Sequence, residues 1–156
     1  MIDFEKLAGQ NIVDLVPYKP GKPIKELERE LGVTNSVKLA SNENPVGCSP
    51  KAVQAIIDFM PEISRYPYGD AFYLRQTVSE FYGVSGDKLL FVTGSNEIIE
   101  LAIRTFLSEG EQVVSPAPSF SVYGIISQAA GKSCKWIPVK EGFKFDFEAL
   151  ASAIDD

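Results

Sequence analysis

From residue 88 onward, stretches typical of β-strands alternate with stretches typical of α-helices. The strand-like stretches are short and rich in β-branched or aromatic residues: KLLFVT (88–93), EQVVSP (111–116) and SCKWIPV (133–139). The stretches after them carry apolar residues at helical spacing: NEIIELAIRTFLSEG (96–110), SFSVYGIISQAAG (119–131) and FDFEALASAIDD (145–156). Strands joined by helices pair in parallel through right-handed crossovers, and helices cover both faces of such a sheet. We therefore predict an α/β fold with a largely parallel sheet.

The residues before this alternation predict an extended arm, three helices and one further strand. The proline-rich stretch 11–23 predicts the arm, and VKLA (37–40) predicts a short strand. The predicted helices have glycine or proline at their ends: IKELERELG (24–32), PKAVQAIIDFM (50–60) and AFYLRQTVSEFYG (71–83). RYPYGD (65–70) predicts a loop between the last two helices.

Composition excludes several classes of function. The formal net charge of −6 argues against nucleic acid as the main partner, because binding to a phosphate backbone needs basic patches. The chain has no histidine, which excludes Ser-His and Cys-His catalysis and histidine-ligated zinc within it. The two cysteines predict no disulfide framework and favour a reducing cytoplasm. The acidic first residues predict no signal peptide, and no apolar run approaches the roughly 20 residues of a membrane span.

The stretch VTGSNEIIEL (92–101) predicts a turn from a strand into a helix, which is a place where anions bind. Gly94 permits a close turn, and the first amides of the helix lack intrahelical partners and carry partial positive charge. The stretch is neither a Walker loop nor a dinucleotide-binding glycine motif. Two readings stay open: Ser95 or Asn96 caps the helix, or the turn holds a phosphate. Glu97 favours the cap, because its charge would lie near the phosphate.

Five stretches occur in the order and spacing found in histidinol-phosphate aminotransferases, and the chain resembles this family from about residue 10 onward. The stretches are PYKPGKPI (17–24), KLASNENPVGCSPKA (38–52), RYPYGD (65–70), VTGSNEIIELAIRTFL (92–107) and VVSPAPSFSVY (113–123). The resemblance implies the aspartate-aminotransferase fold (fold type I), pyridoxal 5'-phosphate as cofactor, and a homodimer. It also implies transfer of an amino group from histidinol phosphate to 2-oxoglutarate. Threonine-phosphate decarboxylases and aromatic or aspartate aminotransferases are similar, so the amino donor stays open.

The resemblance also implies a set of cofactor-binding residues. Gly94, Ser95 and Asn96 match the turn that binds the cofactor phosphate through backbone amides. Phe120 matches the aromatic residue that stacks on the pyridine ring, where many relatives have Tyr or Trp. Tyr66 matches a tyrosine that reaches the cofactor phosphate of the neighbouring subunit. The alternatives are that Phe120 belongs to the core and that Tyr66 is an ordinary loop residue.

On the substrate side, the resemblance assigns three further residues. Tyr18 matches a tyrosine of the N-terminal arm near the substrate. Asn42 and Glu43 match the loop that covers the substrate. For all three, the alternative is an ordinary surface position, because such residue types are common in arms and turns.

The residues that carry the chemistry of this family are not found in the sequence. The Schiff-base lysine lies in a Ser-Lys-x-Phe/Tyr-x-x-Ala-Gly-like stretch that does not occur here, and neither Lys132 nor Lys140 has the required neighbours. We therefore expect an amino-terminal portion of the enzyme: an arm and small-domain helix in residues 1–36 and an incomplete large domain in residues 37–156. This chain alone should be inactive. The alternative is a naturally short, non-catalytic binding module.

Overall fold

The computed structural model describes residues 2–154, which form two compact units. One unit contains the residues up to Lys19 and those from Val92 onward, and the other spans Pro20–Phe91. The helices are α1 (Gln10–Val13), α2 (Ile24–Leu31), α3 (Pro50–Phe59), α4 (Phe72–Tyr82), α5 (Ser95–Phe106), α6 (Val122–Ala129) and α7 (Phe147–Ser152). The strands are β1 (Gln112–Ala117) and β2 (Ser133–Pro138). The predicted boundary at residues 36 and 37 concerns the domains of a complete enzyme and stays a prediction.

The unit that contains Val92 onward is built on a parallel pair of strands. β1 and β2 pair in register from Gln112 opposite Ser133 to Ala117 opposite Pro138, and α6 connects them. α6 contacts both strands, α5 contacts α6, and α7 contacts β1. Ile103 of α5 and Val122 of α6 are buried in this unit. The predicted α/β fold with a parallel sheet is therefore confirmed for this part of the chain.

Trp136 lies over α6 at a position where the helix has no side chain. A Cβ built on Gly124 would come within 2.7 Å of Cζ2 of the Trp136 ring. The helix can approach β2 here because Gly124 leaves room for the indole. Trp136 therefore packs against α6, although 41% of it remains exposed.

Two predicted strands are absent from residues 2–154. VKLA (37–40) and KLLFVT (88–93) contain no strand, and the second begins in a 3₁₀ turn, Gly86–Lys88. The apolar residues of KLLFVT are not buried either, since 60% of Leu90 is exposed. Apolar β-branched runs favour strands only when a neighbouring strand accepts their ladder hydrogen bonds. In the described part of the chain neither stretch has such a neighbour.

The arm also differs from the sequence-based expectation. Its first residues form α1, a single helical turn, whereas the stretch between α1 and α2 is without regular structure as predicted. The ends of the longer helices agree with the sequence. Gly32 and Gly83 end α2 and α4 with φ of 65° and 64°, and Pro50 is the first residue of α3. Of the last predicted helix, the final two residues lie outside the described part.

Within the unit Pro20–Phe91, Arg75 of α4 holds the segment that was predicted as a strand. Its Nη1 donates to the carbonyl oxygen of Gly86 and, at 2.6 Å, to that of Leu89. Its Nε donates to the Asp70 carbonyl oxygen at 3.1 Å, and its guanidinium lies 5.2 Å from the ring centroid of Phe91. These contacts give the segment backbone partners in place of a sheet.

Large apolar side chains are widely exposed, and we expect the isolated chain to self-associate. Leu39, Val46 and Phe106 are 95%, 92% and 79% exposed, and within residues 2–154 the two-stranded sheet has an unpaired edge on either side. Sedimentation velocity should show a mean mass that rises with protein concentration. A clean monomer at high concentration would contradict this expectation.

No helix within residues 2–154 has the length and apolar character that a membrane span requires.

Candidate functional site

The turn before α5 has a backbone conformation that suits glycine. Gly94 has φ 122° and ψ 175°, a region that residues with a side chain rarely adopt. α5 begins at Ser95, so the amides of Ser95 and Asn96 are its first two N–H groups. Within residues 2–154 neither amide donates a hydrogen bond, whereas the N–H of Glu97 donates to the Gly94 carbonyl oxygen at 3.2 Å. Two unpaired donors therefore lie at the positive end of the helix dipole.

The N-cap of α5 is Gly94, and no side chain caps the helix. The reading in which Ser95 or Asn96 is the capping residue is therefore wrong, since both already belong to the helix. A Cβ built on Gly94 would meet no atom of residues 2–154 within 4 Å, so the described part of the chain leaves the space beside the turn open. Unpaired amides at the start of a helix, next to open space, can bind the negative charge of a phosphate.

The carboxylate of Glu97 is bound to the residue before the glycine. Its Oε2 accepts hydrogen bonds from the Thr93 backbone N–H at 2.6 Å and from Thr93 Oγ1 at 2.7 Å. The hydroxyl bond, followed by the backbone bond, lowers the pKa of the Glu97 carboxyl below its ordinary value of 4.5. The sequence raised the objection that the charge of Glu97 would repel a phosphate. This objection is weakened, because both Thr93 donors already bind the carboxylate.

This lowered pKa predicts how the turn responds to acid. A carboxyl group whose pKa is lower in the folded state stabilises the fold above its unfolded pKa, and this contribution is lost as the pH falls through the folded pKa. We therefore expect the turn at residues 93–97 to loosen as the pH falls through the lowered pKa of Glu97. An NMR titration should find that Glu97 titrates below its ordinary value and that Thr93→Val moves it upward. A Glu97 that titrates at 4.5 or higher in the unaltered chain would contradict this prediction.

The two aromatic residues assigned to the ring and the substrate meet before α6. Phe120 follows β1 and a cis peptide bond between Ala117 and Pro118. Its ring centroid lies 6.2 Å from that of Tyr18, edge to face at 77°, and 5.9 Å from that of Tyr123. Phe120 and Tyr18 are 40% and 49% exposed, so neither ring is enclosed in the core. Both keep surface that can contact a ligand, and their roles stay predictions.

Asn11 of α1 attaches the arm to the end of α6. Its Nδ2 donates to the carbonyl oxygens of Gln128 and Ala129 at 3.2 and 3.1 Å, and Gln128 Nε2 donates to the Asn11 carbonyl oxygen at 3.2 Å. The last carbonyls of a helix lack partners within the helix, so Asn11 supplies donors that α6 needs. This attachment fixes the chain a few residues before Tyr18.

We expect substitutions of Asn11 to release the arm. Asn11→Ala removes two hydrogen bonds and should lower the free energy of unfolding by about 1 kcal/mol. Asn11→Asp should lower it further, because a carboxylate cannot donate and lies at the negative end of the α6 dipole. Urea unfolding gives the energies, and hydrogen exchange of residues 10–18 reports the release. An aspartate variant as stable as the unaltered chain would contradict this order.

The remaining predicted residues lie in the unit Pro20–Phe91. Tyr66 is fully exposed in its loop and lines a groove of about 770 Å³ with Arg65 and Tyr68. Asn42 has a left-handed backbone with φ 45°, and the Glu43 carboxylate is paired with the Lys38 ammonium. The structure thus brings Tyr18 and Phe120 together, in the same unit as Gly94, Ser95 and Asn96. Tyr66, Asn42 and Glu43 belong to the other unit, and their roles stay predictions.

Sequence reasoning missed the contacts of four residues: Thr93 and Glu97 at the turn, Asn11 in the arm, and Arg75 in the unit Pro20–Phe91. The spacing of Thr93 and Glu97 is visible in the sequence, but it does not show that the Glu97 side chain turns back past Gly94 to bind Thr93. Asn11 donates to the carbonyl oxygens of Gln128 and Ala129, which lie 117 and 118 positions further along the chain. No local sequence pattern reveals such a contact. Arg75 lies in an amphipathic helix whose exposed positions commonly carry charges.

Parallel strands joined by a helix, with an open glycine turn before the preceding helix, define an α/β protein with a candidate anion site. The chain matches the family model "Aminotransferase class I and II" over residues 34–156. It therefore belongs to the class I and II aminotransferase family.

The chain is also similar to two curated relatives, both of which are named histidinol-phosphate aminotransferases. The chain is 46% identical over 151 residues to the histidinol-phosphate aminotransferase of Methylobacillus flagellatus, covering 96% of this chain and 41% of that protein. It is 44% identical over 156 residues to histidinol-phosphate aminotransferase 2 of Pseudomonas fluorescens, covering 99% and 42%. The chain thus spans about two fifths of the length of these curated relatives.

The fold also matches a crystal structure. The histidinol-phosphate aminotransferase of Sinorhizobium meliloti, solved in complex with pyridoxal-5'-phosphate, superposes with a TM-score of 0.78 at 20% identity. The match covers 92% of this chain and 38% of that one. At this identity the likeness establishes the fold.

Proposed function

We propose that this chain supplies the phosphate-binding turn and the ring-contacting aromatic residue of a pyridoxal-phosphate-dependent aminotransferase. The complete enzyme would transfer the amino group of histidinol phosphate to 2-oxoglutarate, giving imidazole acetol phosphate and glutamate in histidine biosynthesis. Family membership and the names of the relatives support this reaction. The observation that carries the proposal is the turn at Gly94, where two unpaired amides adjoin open space.

The residues present fit the cofactor. Ser95 and Asn96 would bind its phosphate through their amides, and Phe120 would lie against the face of the pyridine ring. The helix dipole favours the negative charge there, and aromatic stacking adds about 0.5–1.5 kcal/mol beyond the area buried. When bound, pyridoxal phosphate supplies the electron sink for amino-group transfer.

Substrate and dimer contacts are further parts of this proposal. Tyr18 would contact the substrate from the arm, with Asn42 and Glu43 in the covering loop. The full exposure of Tyr66 leaves its hydroxyl accessible to a neighbouring subunit, which supports a role at the cofactor phosphate of a homodimer.

The lysine that carries the cofactor would come from outside this sequence. Two of the chain's lysines already have partners in the structure. Lys132 Nζ donates to the Ser108 carbonyl oxygen, and Lys140 Nζ lies 3.0 Å from Asp146 Oδ1. Neither arrangement leaves the amine free and desolvated, as a nucleophilic lysine requires.

A chimera tests this function. The corresponding segment of the Methylobacillus flagellatus relative would be replaced by this chain, and the unaltered relative would serve as control. The chimera should transaminate histidinol phosphate and discriminate against threonine phosphate and aromatic amino acids. A chimera that folds and binds pyridoxal phosphate but prefers another amino donor would contradict the proposed substrate. A folded chimera that does not bind the cofactor would contradict the proposed site.

A further inference from the structure

Gly94 is held from both sides by Glu97. The side chain of Glu97 binds Thr93, the residue before the glycine, through two hydrogen bonds to Oε2. Its backbone N–H binds the carbonyl oxygen of Gly94 itself at 3.2 Å. No atom lies within 4 Å of the place where a Gly94 Cβ would be, so packing around the glycine does not restrain the turn from that side.

We propose that Glu97 is a positioning residue for the cofactor phosphate, which acts through Thr93 to keep the amides of Ser95 and Asn96 directed at the anion. The inference rests on the proposed function and adds a role to a residue that does not itself contact the phosphate. Thr93 would otherwise be free to rotate about the flexible Gly94 hinge. Fixing its N–H and its hydroxyl on one carboxylate oxygen fixes the start of α5, and preorganised donors bind an anion without a cost for ordering them.

The proposal opposes the simplest electrostatic expectation. A carboxylate in the first turn of a helix repels a phosphate bound at the helix start, so its removal would be expected to tighten binding. If Glu97 positions the amides, its removal instead weakens binding, because the two donors lose their fixed direction. The sign of the change therefore separates a positioning role from simple charge repulsion.

The test compares the affinity of the chain for pyridoxine 5'-phosphate and for pyridoxine by calorimetry. These ligands lack the aldehyde that reacts with lysines, and they differ by the phosphate. Glu97→Ala should weaken binding of the phosphorylated ligand about tenfold, as expected for the loss of bonds to a charged group, and leave pyridoxine unchanged. Glu97→Gln keeps an oxygen acceptor for Thr93 and should restore most of the affinity.

Two further variants test whether the loss of binding comes from the hydrogen bonds between Glu97 and Thr93 or from the change in helix charge. Glu100→Ala removes a carboxylate from the same helix that is bound to Arg104 rather than to the turn, and it should leave binding unchanged. Thr93→Val keeps the backbone donor and removes the hydroxyl, so it should give an intermediate loss. Circular dichroism establishes that each variant is folded.

The outcomes distinguish a positioning role of Glu97 from simple charge repulsion. Phosphate-specific weakening by Glu97→Ala, with rescue by glutamine, supports the proposal. Equal or tighter binding in Glu97→Ala overturns the proposal while the phosphate site stands. If Glu97→Ala does not fold, equal or tighter binding of the phosphorylated ligand in Thr93→Val, which keeps the carboxylate charge, overturns it in the same way. If the unaltered chain binds both ligands equally, the phosphate site itself fails, and the proposed function fails with it.

Discussion

Replacement of Gly94 by alanine should remove most of the affinity for phosphorylated ligands. The glycine has φ 122°, and a side chain in this region of backbone space costs on the order of 1–3 kcal/mol. The cost is conformational, because an added Cβ would meet no atom within 4 Å. The chain would relieve the strain by rotating the turn, and the amides of Ser95 and Asn96 would no longer point the same way. We expect α5 to persist, since it also packs on α6.

Calorimetry with pyridoxine 5'-phosphate measures the loss. Gly69→Ala is the matched control, because an added Cβ there also meets no atom within 4 Å and its φ is not in the left-handed region. This control should bind as the unaltered chain does. An alanine at position 94 that leaves the affinity unchanged would show that the phosphate does not depend on this turn.

Replacement of Gly124 by alanine should destabilise the unit that contains the sheet. In an ordinary helix interior this substitution gains about 1 kcal/mol, since alanine has the higher helix propensity. Here the new Cβ would lie 2.7 Å from Cζ2 of Trp136, and overpacking of this kind costs about 1–3 kcal/mol. We expect a net loss in the free energy of unfolding, because the indole would have to move away from α6 and lose its packing against the helix.

A double-mutant cycle isolates the clash. In a Trp136→Leu background the indole is gone, and Gly124→Ala should become neutral or stabilising by about 1 kcal/mol. Urea unfolding of the four proteins gives the coupling energy. If Gly124→Ala stabilises the chain even with Trp136 present, the ring does not restrict α6 as the structure indicates.

The sequence predicted the elements whose stability is local. α2 and α4 end at the glycines that mark them, and the alternation after residue 111 correctly placed β1, α6 and β2. The failures at VKLA and KLLFVT have one cause. A strand depends on a partner distant in sequence, and the composition of a stretch does not reveal whether the partner is present.

The features of the candidate site also divide into those that the sequence predicts and those that it does not. The glycine turn was predictable, because strand, glycine and helix start are adjacent in sequence. The direction of the Glu97 side chain was not, since either Thr93 or solvent could have satisfied its carboxylate. The contact between Tyr18 and Phe120 and the bonds of Asn11 to α6 join residues more than 100 positions apart, and no local sequence pattern predicts them.

The most direct test of the central claim is a ¹H–¹⁵N spectrum of the chain titrated with pyridoxine 5'-phosphate and, separately, with pyridoxine. The amide signals of Ser95 and Asn96 should shift most, and only with the phosphorylated ligand, because these two donors bind the phosphate. Equal shifts with both ligands, or shifts that leave these two amides unchanged, would contradict the central claim.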